Sequence, residues 1–78
     1  MSGGRALFEE IVERSGLASF IGPGIIQRAL NATGVSSPDR ARLDDYRRAL
    51  PQIRARMAVY LQPDQLEEHI QEIESLLR

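Results

Sequence analysis

Between Leu43 and Leu61 the apolar residues Leu43, Tyr46, Leu50, Ile53, Met57 and Tyr60 recur at alternating gaps of three and four. That spacing draws one continuous apolar stripe down an α-helix and marks this stretch as the spine of a small helical domain. Three further stripes accompany it. Leu7, Phe8, Ile11 and Val12 predict a first helix from about Arg5 to Ser15, with Glu9, Glu10, Glu13 and Arg14 facing water and Glu10 pairing with Arg14. Ile25, Ile26, Ala29 and Leu30 predict a second helix, with Gly22 at its entry and Pro23 in its first turn, and Leu66, Ile70, Ile73 and Leu77 a last one.

The ends of these elements are also written locally. Gly16 and Gly34 each follow a stripe and precede an aliphatic residue, so Leu17 is expected to fold back on Val12 and Val35 on Leu30 in Schellman-type caps. Ser37-Pro38-Asp39 reads as a helix start that continues into the spine. Pro51 interrupts that helix without shifting the stripe. Two segments kinked near Ala49–Pro51, with Pro51 outward, are therefore expected, and two separate helices are the alternative. Folding the last helix back on the spine pairs Met57 with Leu66, Ile53 with Ile70, Leu50 with Ile73 and Tyr46 with Leu77, in antiparallel register. The same register sets Arg54 beside Glu67 and Arg47 beside Glu74, charge pairs that fix such hairpins. Ala49 and Leu76 form a further apolar edge for the first two helices. The expected fold is all-α: a small bundle of four to five helices with a C-terminal antiparallel hairpin, residues 5–78 forming one domain behind a flexible tail at 1–4.

Composition narrows the chemistry. Seventy-eight residues carry a net charge of −1, which gives no bulk attraction to nucleic acid or anionic membrane. All ten basic residues are Arg, favouring oriented bidentate contacts over a diffuse positive field. With no Cys, thiolate chemistry is excluded, and no apolar run approaches the roughly 20 residues of a membrane span. The N-terminal MSGGR lacks the apolar segment of a signal peptide, so the cytoplasm is the expected compartment.

No catalytic constellation emerges. The single His, His69, is expected on the flank of the last helix opposite Arg56, where a neighbouring cation makes it a poor base and a poor ligand. Glu67, Glu68, Glu72 and Glu74 spread around their helix and do not converge on a metal. The Gly-rich start of the second helix lacks the Lys or hydroxyl of a phosphate loop. No enzyme activity, cofactor or metal is expected.

Two function classes remain. One is a helical protein–protein interaction or regulatory module, binding another protein or itself as a homodimer, with Phe20, Ile21, Arg40, Arg47 and Arg48 as contact residues. Phe20 and Ile21 lie in a connector that Gly22 and Gly24 are expected to loosen around Pro23. They either plug the end of the bundle or offer apolar surface. The alternative is a helix-turn-helix-like DNA-binding domain with its turn at Gly34–Ser36. Against it, Arg40 stands where that motif buries an aliphatic residue, and Asp39, Asp44 and Asp45 would face phosphates.

Overall fold

The computed structural model describes residues 3–78, and among them every regular element is helical. Helix α1 spans Gly3–Arg14, α2 Gly22–Ala32, α3 Leu43–Met57 and α4 Pro63–Leu77, with a single 3₁₀ turn at Pro38–Arg40 between α2 and α3. α1 packs on α2 and α4, and α3 packs on the same two helices, so the four enclose one core. That core holds Phe8 and Ile11 from α1, Ile26, Ala29 and Leu30 from α2, Tyr46, Ala49, Ile53 and Met57 from α3, and all four residues of the α4 stripe.

α1 begins two residues earlier than its stripe implies. Gly3 and Gly4, expected in a flexible tail, are helical, while Met1 and Ser2 lie outside the described residues. Gly4 sits so close to the Asp39 carbonyl that a Cβ would overlap it. A glycine here lets the first turn of α1 rest directly on the backbone of the 3₁₀ turn.

The two glycine caps differ in execution. Both Gly16 and Gly34 have positive φ, 71° and 94°. After α2 the expected pattern is complete: Val35 N–H donates to the Leu30 carbonyl at 3.1 Å and Gly34 N–H to that of Asn31 at 3.0 Å. After α1, Gly16 N–H donates to Glu13 at 3.3 Å. The outer bond is relayed through a side chain: Leu17 N–H donates to Ser15 Oγ at 3.3 Å, and that hydroxyl donates to the Val12 carbonyl at 2.6 Å. Ser15 is fully buried, and these bonds satisfy it.

Three expectations for the spine are corrected. First, no helix runs from Ser37 into α3. Ala41 and Arg42 are extended, with ψ of 138° and 173°, because Ala41 is drawn into the core. α3 then starts afresh where the Asp45 carboxylate accepts the Arg42 N–H at 2.8 Å. Second, α3 ends at Met57 and not near Leu61, which leaves Tyr60 half exposed in the connector; at the other end Leu43 is 37% exposed. Third, the fully buried position beside Ile53 is Ala49, with Leu50 only half buried. The small Ala49 admits α2, whose most extensive packing is on α3, and so rotates the buried stripe towards it. α3 passes through Pro51 as one helix, with Pro51 exposed on its outer side.

Contacts between α3 and α4 are those of an antiparallel pair. The Arg54 guanidinium meets the Glu67 carboxylate across the hairpin. Arg47, expected beside Glu74, instead donates from Nε to the Leu77 carbonyl at 2.8 Å and pairs with Asp44 at 2.6 Å. The last carbonyls of α4 lack intrahelical donors, and a cation placed there satisfies one of them.

Candidate functional site

The five candidate contact residues do not form one site. Phe20 and Ile21 follow the C-terminal end of α1, whereas Arg40 belongs to the 3₁₀ turn that touches its N-terminal end through Arg5 and Asp39, 4.0 Å apart. Twelve residues of helix separate the two regions, about 18 Å at 1.5 Å per residue. Phe20 is 85% exposed and is no plug; Ile21 is half buried. Gly22-Pro23-Gly24 is the first turn of α2, where Pro23 is expected, so the glycines do not loosen it, and Gly22 is buried.

The Arg edge is largely engaged in holding the fold. Arg47 bridges Asp44 and the end of α4, and Arg48 pairs with Asp45. Asp45 is the centre of this edge. The Arg42 N–H, and with it the Arg48 guanidinium, holds its carboxyl below the usual carboxylate range. Arg40 and Arg42 are exposed and form no ion pair among the described residues. The segment from Thr33 to Arg42 separates α2 from α3, longer than the three- or four-residue turn of a helix-turn-helix.

His69, on α4, contacts the end of α1. Its Nδ1 lies 3.1 Å from the Arg14 carbonyl, which can only accept, so the proton of that bond sits on Nδ1. Glu72 Oε2 is 3.7 Å from the same nitrogen, and Arg14 Nη1 donates to the Glu72 carbonyl at 3.2 Å. These contacts tie the end of α1 to α4. The ring is therefore half buried and committed to joining the helices. Among the described residues no group of three His, Cys, Asp or Glu converges on a point that could hold a metal, and no helix is long and apolar enough to cross a membrane.

One feature escaped the stripes altogether. A groove runs along α1 and past its end, floored by Phe8, Val12, Leu17 and Pro23 and rimmed by Arg5, Glu9, Glu13 and Ser19. Phe20 follows Ser19 in the chain. Phe8 and Val12 belong to a stripe, Leu17 to a cap and Pro23 to the first turn of α2, so nothing in the local pattern marks them as a shared surface. Comparison with protein-family models, curated proteins and solved structures finds no match to the chain.

Proposed function

We propose that this protein is a small, non-catalytic helical interaction module of the cytoplasm, binding another protein, with self-association as the second form of the same function. The observation that carries this reading is Phe20. A large aromatic side chain is 85% exposed in a domain that buries its other apolar stripes, at a connector between two well-ended helices. An exposed aromatic of this kind contributes far more to binding than to folding. Val59 and Tyr60, 78% and 50% exposed in the α3–α4 connector, add apolar surface outside the core. The rest of the chemistry points the same way: the lone His bonds a main-chain carbonyl, and Arg40 and Arg42, exposed and without an ion pair among the described residues, offer planar, oriented donors.

The test uses the intact chain as bait in an extract of its own cells, beside Phe20→Ser and Arg40→Glu variants, with sedimentation of the purified protein. The expected result is a retained protein, or a second copy, whose binding is lost in one of the variants at unchanged melting temperature. A monomer that retains nothing would overturn the module. Salt-sensitive binding of random duplex DNA that disappears in Arg40→Glu would replace it with the DNA-binding alternative.

A further inference from the structure

Resting on the module reading, the geometry points to an occupant for the α1 groove: we propose that it docks a short amphipathic helix of a partner protein whose apolar stripe is flanked by basic side chains. The floor supplies the apolar half of the argument. Phe8 and Val12 lie one turn apart on α1, and Leu17 and Pro23 continue the strip beyond its end. From Arg5 to Glu13 the groove covers about 12 Å, the span of anchors at i, i+3 or i+4, and i+7 on a docking helix. Phe20, almost wholly exposed, follows the rim residue Ser19 in the chain.

The rim supplies the charge. Arg5 is already occupied: its Nε is 3.5 Å from Glu9, its Nη1 is 4.0 Å from Asp39, and its guanidinium lies 5.4 Å over the Phe8 ring. Glu13, one turn beyond Glu9 on the same side of α1, is exposed and has no cationic partner among the described residues. The rim is thus left with uncompensated negative charge beside an apolar floor. An acidic helix would be repelled there and a neutral one would leave Glu13 unmet, whereas Lys or Arg flanking an apolar stripe answers both features.

The experiment titrates the intact, isotope-labelled chain with three synthetic helices of about four turns. One carries a Leu stripe with Lys flanks, one the same stripe with Glu flanks, and one has Lys flanks with the stripe changed to Ser. The Lys-flanked Leu peptide is expected to shift the amides of Val12, Glu13, Leu17 and Phe20 and to bind about tenfold more tightly than its Glu-flanked counterpart, less so in high salt. Replacing Glu9 and Glu13 by Arg should reverse that order, and Phe20→Ser should weaken both Leu peptides. Equal affinity for the two charges overturns the proposal, as does binding of the Ser-stripe peptide alone. So does binding that maps to Arg40 and Arg47, or self-association that buries the same amides. Loss of this groove would leave the interaction module standing if extract capture depends on Arg40 instead of Phe20.

Discussion

Tyr46 gives the sharpest test of the packing. It is fully buried in α3, and its hydroxyl has no hydrogen-bond partner among the described residues. Burial pushes its phenol well above the ordinary tyrosine range, with the neighbouring Asp45 carboxylate adding to the shift. A hydroxyl taken from water without a replacement bond costs about 1–3 kcal/mol in protein mutational data. Tyr46→Phe keeps the ring that fills the core and removes only the uncompensated oxygen. The variant is therefore expected to be more stable by about 1–2 kcal/mol, which for a domain of this length raises Tm by about 4–8 °C per kcal/mol. Chemical denaturation should give the same slope with a higher midpoint. The pH dependence supplies an independent readout. A folded-state pKa above the unfolded value means that stability is fully present below about pH 10 and falls as pH rises above it, because only the unfolded chain gives up the proton. Tyr46→Phe should remove that component of the alkaline loss. A destabilised variant would refute the reasoning, since it would mean that the hydroxyl is bonded in solution and holds α3 in place.

Three other outcomes follow from the same contacts. Arg54→Glu should destabilise the hairpin and adding Glu67→Arg should recover part of the loss, so a double-mutant cycle with zero coupling would remove this pair from the register. The Arg54 guanidinium holds Glu67 below its ordinary range, as the Arg42 N–H does for Asp45, so both carboxylates contribute fully above their unfolded values near about 4 and lose that contribution progressively as pH falls below it towards their lower folded values. Asp45→Asn should flatten part of that acid dependence in equilibrium unfolding, and an unchanged profile would show the Arg42 contact to be broken in solution. Pro51→Ala should raise stability, by at most about 3 kcal/mol, because it restores a helix hydrogen bond at an exposed position. A fall in melting temperature would instead mean that α3 packs on its neighbours through a bend at Ala49–Pro51.

Legibility in the sequence followed how local each determinant is. The α4 stripe was readable because Leu66, Ile70, Ile73 and Leu77 all face the core at helical spacing, and the Gly34–Val35 cap because its bonds lie within six residues. Arg54–Glu67 could be placed because the hairpin register follows from two stripes and a short connector. The start of α3 could not, since Ser37-Pro38-Asp39 satisfies the local rules for a helix start and is overruled by the burial of Ala41. The signal that was available is Asp45, three residues beyond Arg42, where a carboxylate can accept the first free N–H. Ala49 was legible as the edge for the first two helices, whereas Leu50, on the stripe, is only half buried because α2 packs on the Ala49 side. Phe20 was legible as one of two possibilities, but a plug and a contact residue share one sequence signature. The groove was invisible, because Val12 and Leu17 read as cap partners and Pro23 as the first turn of a helix.

The same turn that ends α1 also fixes the floor of that groove. Gly16 adopts the left-handed conformation, so any other residue there is strained by about 1 kcal/mol or more. The His69 ring lies against it so closely that a Cβ would overlap the imidazole. His69 in turn holds the Arg14 carbonyl, and Arg14 bridges Glu10 at 2.8 Å and the Glu72 carbonyl. α4 therefore sets where α1 stops and where Leu17 turns back towards Val12. The groove is consequently carried by a junction between α1 and α4, while Phe20 is exposed on the turn that the Ile21 and Gly22 N–H groups close on the Ala18 carbonyl. A floor fixed in this way would lose little conformational freedom to any ligand lying on it, which lowers the ordering cost of binding.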